Sequence, residues 1–389
     1  MTKNIKIGIV GAGVGGLTTA IALQQKGFRV VVYEQSSELG EIGAGLTISI
    51  NAGRVLAALG LGQQFCAMDA ATPHLGAVDY ETGERLSYEL RDHAGNQSQF
   101  GAATRQVHRA DLHNLLADNL HDKNATIFLD HRLSEITQSH DQVSLKFKNG
   151  KSDQCDYVIA CDGLKSIVRQ QLFSSKPAEF TGFVAWRGLV NRDHVPDVSL
   201  DPHFATYSSQ SKLFTRYPVR HGSLVNYVAI ARKLDFRSER WNEPAEVQEV
   251  AAQFSGWHED VTKIILATPR DKCNRWALYT REPLNTWHKD RVVLLGDAAH
   301  PMTPFYGMGA AMAIEDGMII SRCLEAEPND WQAAMGRYQQ ARLERCNNMQ
   351  QISLARANDY MHPDKKSRAL APGAGMAPST EYDPVTIPI

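Results

Sequence analysis

Runs of apolar residues, interrupted by one glycine-rich turn, predict a strand, a helix and a second strand at the N-terminus. Residues 5–10 are rich in β-branched side chains and lead directly into the glycine-rich turn at 11–16. Residues 17–26 have helical composition and end at Gly27, and residues 28–33 form a second apolar run. This order of elements predicts a β-α-β unit with two parallel strands.

Patterns of the same kind recur in later parts of the chain. A loop at 40–45 precedes a short apolar run, after which Asn51 is expected to cap a helix that extends to Leu59. Further strands are predicted at 125–129, 142–147, 156–161 and 291–296, and further helices at 108–116, 309–323 and 331–358. Strands and helices therefore occur together in these regions, as in α/β proteins.

From about residue 183 the pattern changes, because strands follow one another without helices between them. These strands are predicted at 183–190, 204–208, 213–219 and 224–231. Such a succession predicts an antiparallel sheet, with helices at 245–254 and 259–267 covering it and one more strand at 276–279. The Pro-, Gly- and Ala-rich residues 369–389 are expected to form an extended strap or to be loose.

Composition narrows the range of partners and cellular settings. The 389 residues include 41 Lys and Arg against 43 Asp and Glu, so there is no basic excess for a nucleic acid partner. The six cysteines lack any C-x-x-C pair, which predicts neither a zinc site nor a disulfide framework and favours the reducing cytoplasm. No apolar stretch approaches the roughly 20 residues of a membrane-spanning helix, so no integral membrane segment is expected.

The glycine-rich turn carries the first chemical signal. Gly11, Gly13 and Gly16 have the spacing of a dinucleotide-binding fingerprint, with Gly15 beside them and Glu34 at the end of the second predicted strand. Glycines permit a tight turn and a close approach of the backbone to a pyrophosphate, whose charge the helix N-terminus stabilises. Glu34 is expected to accept hydrogen bonds from a ribose. The motif alone does not identify the dinucleotide.

Two further segments identify it by resemblance. They are Cys161-Asp162-Gly163-x-x-Ser166-x-Val168-Arg169, and Gly296-Asp297-Ala-Ala-His-Pro301 followed by Gly307-Met-Gly309. Together with the N-terminal fingerprint, they resemble the FAD-dependent aromatic hydroxylases, a family of single-component flavoprotein monooxygenases that includes salicylate and hydroxybenzoate hydroxylases. The resemblance spans residues 5–325 and implies that the cofactor is FAD.

The resemblance also assigns roles to individual residues. Asp297 is expected to accept a hydrogen bond from the ribityl chain of FAD, and Asp162 to lie on the pyrophosphate side. Arg109 resembles the family arginine that reaches FAD from the start of a helix, although an ordinary surface arginine is the alternative. Leu133 is expected to line the adenine. The backbone N–H groups of Gly309 and Ala310, at a predicted helix N-terminus, are placed to stabilise negative charge on reduced flavin.

Residues for the substrate are less clearly marked. Tyr217, in a Tyr-Pro strand that resembles the pocket strand of the family, is a candidate for hydrogen bonding to substrate, and a core tyrosine is an equal alternative. Its neighbour Arg216 should face the opposite side of the strand. Several relatives carry a histidine four positions before this tyrosine, where this chain has Leu213. The histidines nearest to it in sequence are His203 and His221, whose facing the sequence does not determine. His203 is taken as a catalytic candidate, and which residue acts as the base stays open.

Tyr306 lies in a second segment that departs from the family. It belongs to a loop, residues 304–308, which replaces the more familiar glutamine-bearing loop. We take Tyr306 as a third catalytic candidate. Its loop and Leu213 together disfavour a simple hydroxybenzoate substrate and favour a larger or more apolar one.

The predicted fold class is α/β, with a Rossmann-like FAD-binding domain, an inserted antiparallel-sheet substrate domain and a long C-terminal helix. The FAD-binding domain comprises residues 1–70, 101–175 and 288–389, and the substrate domain comprises 71–100 and 176–287. No second fingerprint is present for NAD(P)H, which is therefore expected to bind transiently.

The implied reaction is hydroxylation of an aromatic or heteroaromatic small molecule, with NAD(P)H and O2 as co-substrates and a C4a-hydroperoxyflavin as oxygen donor. An epoxidase or oxidoreductase acting on a non-aromatic substrate, and a flavin-binding protein without turnover, are the alternatives. The protein is expected to be a monomer or a homodimer.

Overall fold

The computed structural model describes residues 5–40, 44–69, 71–120, 125–238, 243–369 and 380–389. Its strands are β1 (Lys6–Val10), β2 (Arg29–Tyr33), β3 (Gly45–Ile48), β4 (His74–Val78), β5 (Glu89–Leu90), β6 (Arg105–His108), β7 (Ala125–Phe128), β8 (Leu133–Gln138), β9 (Val143–Phe147), β10 (Ser152–Cys155), β11 (Tyr157–Ala160), β12 (Glu179–Asn191), β13 (Phe204–Ser208), β14 (Lys212–Val219), β15 (Leu224–Arg232), β16 (Glu243–Pro244), β17 (Asn274–Thr280), β18 (His288–Lys289) and β19 (Val292–Leu294). Its helices are α1 (Val14–Gln25), α2 (Ile50–Ala58), α3 (Gly62–Met68), α4 (His93–Phe100), α5 (Arg109–Asp118), α6 (Ile167–Leu172), α7 (Val247–Gln253), α8 (Glu259–Leu266), α9 (Gly309–Ala326), α10 (Trp331–Tyr360) and α11 (Lys365–Ala369). The α/β class is confirmed.

A six-stranded sheet in the order β18-β19-β11-β1-β2-β7 forms the first layer. All its neighbouring strands are parallel except β18 and β19. The predicted β-α-β unit at the N-terminus is confirmed as β1, α1 and β2. Because carboxyl ends of parallel strands meet at one edge, the turns after β1, β2, β11 and β19 lie close together there.

Helix α1 packs against this sheet and against α9, and small residues allow the close approach. A Cβ atom on Gly15 would lie 2.9 Å from Cβ of Ala313, and one on Gly317 would lie 3.0 Å from the backbone nitrogen of Thr19. Since real Cβ atoms do not approach so closely, larger residues would separate the two helices. Gly15 thus has a packing role in addition to its place in the fingerprint.

An eight-stranded sheet in the order β16-β17-β12-β15-β14-β13-β4-β5 forms the second layer. The antiparallel pairing predicted for the strands that follow residue 183 is confirmed for β12, β13, β14, β15 and β17, and one parallel pair, β13 with β4, adjoins them. The reason is topological, since β4 arrives from the first part of the chain and joins the sheet beside a strand that follows it by more than a hundred residues. Helices α7 and α8 pack on one face of this sheet through an apolar core.

Two smaller sheets were not foreseen from the sequence. Strands β3 and β6 form an antiparallel ribbon, and β8, β9 and β10 form a three-stranded sheet. Of their strands only β9 was predicted, at 142–147; the others are short and mix polar and apolar residues, which makes them hard to recognise in isolation. The cap of α2 was also misplaced by two residues: the Ser49 side chain accepts the hydrogen bond from the Ala52 backbone, whereas Asn51 lies within the helix.

Residues 380–389 pack against the rest of the protein, as the strap alternative expected, but their backbone forms turns and is not extended throughout. Residues 370–379 lie outside the described chain, as do residues 41–43 of the predicted loop. Three arginines hold residues 380–389 by donating to their backbone carbonyl groups. Arg54 donates to Thr380, Arg322 to Pro384 and Ile387, and Arg337 to Ile389. Among the described helices, none combines the length and apolar character that crossing a membrane requires.

Candidate cofactor and substrate site

The glycine turn after β1 is tight on one side and open on the other. Gly11 has a φ of +103°, and a Cβ on it would lie 2.5 Å from the Cys161 carbonyl oxygen. A Cβ on Gly16 would lie 2.1 Å from the Gly11 carbonyl oxygen. Gly13, in contrast, has no atom within 4 Å of its hypothetical Cβ. The turn therefore presents free space at Gly13, in front of the N-terminus of α1, where a pyrophosphate group fits.

Glu34 is fixed at the end of β2, beside this turn. Its two carboxylate oxygens accept hydrogen bonds from the backbone nitrogens of Ala12 at 2.8 Å and Ser36 at 2.9 Å. Each oxygen keeps a second lone pair for a ribose hydroxyl. The predicted ribose contact is therefore compatible with the geometry, and Glu34 also holds the turn in place.

Asp162 carries an acceptor atom that the described protein leaves unused. One oxygen, Oδ2, accepts hydrogen bonds from the backbone nitrogens of Ile167 at 2.8 Å and Val168 at 3.3 Å, at the start of α6. The other, Oδ1, is buried without a hydrogen-bond partner among the described residues. Burial raises the pKa of this carboxyl, and its hydrogen bonds oppose the rise. A ligand at this edge of the sheet would complete its hydrogen bonding.

Asp297, Arg109 and the start of α9 lie close together, and we call the region between them and the glycine turn the cofactor cleft. Asp297 follows β19 in a short turn, and its Oδ1 lies 3.8 Å from the hypothetical Cβ of Gly309. Burial raises the pKa of Asp297, while the charges of His300 and Arg109 lower it. Arg109 begins α5, and its backbone nitrogen donates to the Ala44 carbonyl at 2.7 Å. A carboxylate, a guanidinium and a helix N-terminus thus meet around one cleft.

Ala310 and Leu133 complete the predicted cofactor residues. Ala310 is half-buried in the first turn of α9, where backbone N–H groups lack partners within the helix. Leu133 is 4% exposed and belongs to the apolar core at the start of β8. Its predicted contact with adenine stays a prediction.

These observations fit FAD. The open space at Gly13 suits the pyrophosphate, Glu34 suits a ribose, and the unused oxygen of Asp162 and the half-buried start of α9 suit a polar ligand between them. The cationic Arg109 lies close enough to Asp297 for their charges to interact. A long ligand with an anionic centre and a polar chain matches this set of groups.

The substrate sheet meets the cofactor cleft at Gly45. The Gly45 backbone nitrogen donates to Oδ1 of Asn226 on β15 at 2.7 Å. A Cβ on Gly45 would lie 2.4 Å from a ring carbon of Tyr217 and 2.6 Å from its hydroxyl oxygen. Gly45 also starts β3, whose partner β6 leads into Arg109. Tyr217 and the FAD cleft are therefore connected through a single glycine.

Tyr217 is buried on the face of the sheet that is directed at this cleft. It is 5% exposed and stacks on Phe204, with ring centroids 5.3 Å apart and an interplanar angle of 11°. Burial raises its pKa, so the phenol stays protonated at neutral pH. The side chain can therefore donate a hydrogen bond to a substrate oxygen but cannot serve as a base.

The structure separates His203 from Tyr217 and places Tyr306 against α10. His203 precedes Phe204 and so projects from the opposite face, where its ring lies 6.3 Å from that of His74. Burial and the charge of His74 lower its pKa to about 4. The guanidinium carbon of Arg356 lies over the ring of Tyr306, 5.5 Å from the centroid of that ring. The expectation that His203 is a catalytic residue beside Tyr217 is therefore not supported.

The predicted opposition of Arg216 and Tyr217 is confirmed. Arg216 is 0% exposed and donates to the carbonyl oxygens of Pro202 at 2.5 Å and His203 at 3.4 Å, on the side away from Tyr217. Leu213, at the position where relatives carry a histidine, belongs to an apolar cluster with Phe305.

A group of buried charges, missed from the sequence, lies behind Asp297. We call it the buried ion cluster; its members are His300, Glu315, Asp316, Arg342 and Arg345. Asp316 accepts from His300 at 2.6 Å and from Arg342 at 2.7 Å, and Glu315 accepts from Arg342 at 2.6 Å and from Arg345 at 3.0 Å. Asp316 also accepts from the backbone nitrogen of Gly296 at 3.1 Å.

The electrostatics of this cluster favour charged forms. Burial alone would lower the pKa of His300, but neighbouring Cys346 and Asp316 outweigh it and hold that pKa well above 6.5. Burial would raise the pKa of Asp316, but His300 and Arg342 lower it to about 2. His300, Asp316 and Cys346 have atoms that could bind a metal ion close together. The carboxylate of Asp316 is, however, already paired with the guanidinium of Arg342, which disfavours a metal ion there.

Comparisons with known proteins agree with this geometry. A family model described as an FAD binding domain matches residues 4–353. The chain is 30% identical to 3-amino-4-hydroxybenzoate 2-monooxygenase PtmB3 of Streptomyces platensis over 367 residues, 94% of this chain and 91% of that protein. It is 32% identical to 6-hydroxynicotinate 3-monooxygenase of Pseudomonas fluorescens over 359 residues, 91% of each chain. The structure of Klebsiella pneumoniae HpxO complexed with FAD and uric acid resembles it with a TM-score of 0.82 and 25% identity, covering 94% of this chain and 91% of that one.

Proposed function

The chain belongs to the FAD-binding-domain family and is an FAD-dependent aromatic monooxygenase, and from this premise we propose how its own residues perform the reaction. The family and the cofactor expected from the sequence are thereby confirmed, and NAD(P)H is the co-substrate general to the family. We propose that the substrate is a phenol or a hydroxylated heteroaromatic ring, bound between the FAD cleft and the Tyr217 face of the eight-stranded sheet.

The cofactor would be held by groups on both sides of the cleft. Gly13 and the start of α1 would take the pyrophosphate, Glu34 a ribose, and Asp297 the ribityl chain. The N-terminus of α9 would face the flavin. When bound, FAD supplies the redox chemistry, accepting two electrons from NAD(P)H and activating O2.

The contact of Gly45 with Tyr217 carries the proposal for the substrate. It brings a buried, protonated phenol to the boundary of the cofactor cleft. A donor at this position would stabilise the ionised oxygen of a phenolic substrate, which makes the ring more nucleophilic. The same burial would keep water away from the reacting atoms.

We also propose the division into an FAD-binding domain, residues 1–70, 101–175 and 288–389, and a substrate domain, residues 71–100 and 176–287. In support, the six-stranded sheet draws its strands from the first set of ranges and the eight-stranded sheet from the second.

Anaerobic stopped-flow reduction of the FAD-loaded protein tests the proposed function. The enzyme is mixed with NADH or NADPH in the presence of small phenols, hydroxypyridines or hydroxyquinolines, and flavin absorbance is followed. We expect at least one ligand to accelerate reduction, and the same ligand to gain an oxygen atom under aerobic conditions. Product formation is measured by mass spectrometry with labelled O2.

A control separates hydroxylation from oxidase activity. Hydrogen peroxide released per NAD(P)H consumed is measured in the same reactions. If every accelerating ligand leaves unchanged and peroxide accounts for all electrons, the hydroxylase proposal for these ligands is contradicted.

A further inference from the structure

We propose that Tyr382, in the C-terminal segment of residues 380–389, is a positioning residue for FAD. It acts on Asp297 through the buried ion cluster rather than by contact with the cofactor. The inference rests on the proposed function, because it takes Asp297 as the residue that holds the ribityl chain of FAD.

The C-terminal segment is anchored to three helices. Its backbone carbonyl groups accept hydrogen bonds from Arg54 on α2, Arg322 on α9 and Arg337 on α10. Because these bonds reach from residue 380 to residue 389, they fix the segment at both of its ends. Three of its apolar side chains also pack against the large core that contains β1 and α1: Val385, Ile387 and Ile389.

Tyr382 joins this segment to the buried ion cluster. Its hydroxyl oxygen accepts a hydrogen bond of 3.0 Å from Arg342. The guanidinium carbon of Arg345 lies over its ring, 4.0 Å from the centroid, and that of Arg342 lies 5.4 Å from the same centroid. One tyrosine side chain therefore contacts both arginines of the cluster, through its oxygen and through its ring.

Arg342 connects Tyr382 to the two acidic residues of α9. Its Nη1 atom, which donates to Tyr382, also donates to Glu315 at 2.6 Å, and its Nε atom donates to Asp316 at 2.7 Å. Arg345 donates to Glu315 at 3.0 Å. Since a guanidinium is planar and its donors have fixed directions, the bond to Tyr382 restricts the orientation in which Arg342 meets both carboxylates.

Asp316 in turn holds the turn that carries Asp297. Its Oδ2 atom accepts hydrogen bonds from the backbone nitrogen of Gly296 at 3.1 Å and from Nε2 of His300 at 2.6 Å. Gly296 directly precedes Asp297, and His300 follows it by three residues. A single carboxylate oxygen therefore fixes the turn on both sides of Asp297.

The residues along this path are buried, so their orientations depend on one another. His300, Glu315, Asp316 and Arg342 are all 0% exposed. In such surroundings hydrogen bonds between charged groups are strong and directional. Burial would raise the pKa of Asp316, but His300 and Arg342 lower it to about 2, so this carboxylate stays ionised and depends on both partners. A change in the orientation of Arg342 is thus passed to Asp316 and from there to the Asp297 turn.

A double-mutant cycle in the full-length protein tests the proposal. Tyr382→Phe keeps the ring over Arg345 but removes the hydroxyl oxygen. Asp297→Asn removes the charge but keeps an acceptor oxygen, so that FAD binding can still be measured. Wild type, the two single variants and the double variant are dialysed in their FAD-loaded forms against graded concentrations of FAD, and the bound fraction gives the dissociation constant.

We expect Tyr382→Phe to raise the FAD dissociation constant about three- to tenfold when Asp297 is present. The effect is limited because Arg342 keeps its other acceptors. In the Asp297→Asn background the same change should raise the constant by less than about twofold, since the residue through which Tyr382 acts is already altered. Tyr382→Leu, which also removes the ring, should weaken FAD binding further than Tyr382→Phe.

Tyr279→Phe is the matched control. Tyr279 is a half-buried tyrosine on β17 whose hydroxyl donates to the Arg237 carbonyl oxygen at 2.8 Å, outside the proposed FAD-binding domain. The substitution removes a comparable hydroxyl and should leave FAD binding unchanged. Urea midpoints of all variants are recorded as well, because a general loss of stability would weaken FAD binding by the same factor with Asp297 and with Asn at that position.

The outcomes separate the inference from the proposed function. Weakening by Tyr382→Phe that disappears in the Asp297→Asn background, with Tyr279→Phe unchanged, supports the inference. An unchanged dissociation constant in Tyr382→Phe, or equal weakening in both backgrounds, overturns it while Asp297 keeps its proposed role. Unchanged FAD binding in Asp297→Asn contradicts that role and this inference together. If Asp297→Asn retains no measurable FAD, Arg342→Lys replaces it in the cycle, and additive effects there overturn the inference.

Discussion

The buried ion cluster gives the sharpest stability prediction, through the substitution Arg342→Met. Arg342 is 0% exposed and donates to Asp316 at 2.7 Å, Glu315 at 2.6 Å, the Tyr382 hydroxyl at 3.0 Å and the Met312 carbonyl at 3.2 Å. Methionine fills part of the volume but provides neither charge nor donors. The change therefore leaves two buried carboxylates short of a cation.

The expected magnitude follows from burial. Removing one partner of a buried ion pair costs about 3–5 kcal/mol, since the remaining charge stays desolvated. We expect the lower half of this range, because Asp316 keeps His300 and Glu315 keeps Arg345. An exposed pair offers the matched control: Lys146→Met, which removes Lys146 from Glu135 at 3.1 Å, should cost under about 1 kcal/mol.

Urea unfolding of the FAD-loaded proteins at pH 7, followed by tryptophan and flavin fluorescence, measures both changes. Arg342→Lys retains the charge but not the planar set of donors, so its midpoint should fall between wild type and Arg342→Met. If Arg342→Met loses no more stability than Lys146→Met, the electrostatic account of the cluster is refuted.

Four further outcomes are expected. Gly45→Ala should overpack against Tyr217 at a cost of about 1–3 kcal/mol, and this should weaken substrate binding or turnover. Gly336→Ala, whose Cβ would have no atom within 4 Å, should leave both unchanged in substrate titrations. Asp297→Ala should give a folded protein that retains little FAD after gel filtration, and stoichiometric FAD would contradict the assigned role. Tyr217→Phe should lower hydroxylation by about tenfold with an unchanged FAD dissociation constant, and unchanged kinetics would leave Tyr217 a packing residue. The pKa of His300 is raised in the folded protein, so its contribution to the free energy of unfolding is complete below pH 6.5. Above pH 6.5 this contribution falls by up to about 1.4 kcal/mol per pH unit. Urea midpoints measured against pH should show this fall for wild type and not for His300→Asn.

Local signals in the sequence were sufficient to predict that the residues proposed for the cofactor lie near one another. The glycine turn, Glu34, Asp162 and Asp297 each follow a short buried strand, and parallel strands bring such turns to one edge. The positions of the motifs after these strands are therefore enough to place their residues at the same edge of the sheet. The order and type of the neighbouring elements follow from the same apolar runs.

The substrate side depends on contacts between residues far apart in sequence. Gly45 and Tyr217 meet only because the β3–β6 ribbon, which the sequence did not reveal, lies over β14 and β15. The separation of His203 from Tyr217 depends on which face of the sheet each residue occupies. A shift of the strand by one residue would exchange the faces, and such a shift cannot be detected before the register is known. Asp316 and Arg342 lie on two helices whose packing no local pattern specifies.

The cofactor side and the substrate side of the site carry groups that suit different chemical tasks. The cofactor side combines Arg109 with a helix N-terminus, which together would stabilise an anionic diphosphate and negative charge on a reduced flavin. The substrate side presents the protonated phenol of Tyr217, and Arg187 lies buried on the same face of the sheet. A substrate phenolate bound there would be stabilised by a hydrogen bond from Tyr217. A more cationic wall would hold the phenolate more tightly but would also draw electrons away from the ring that must attack oxygen.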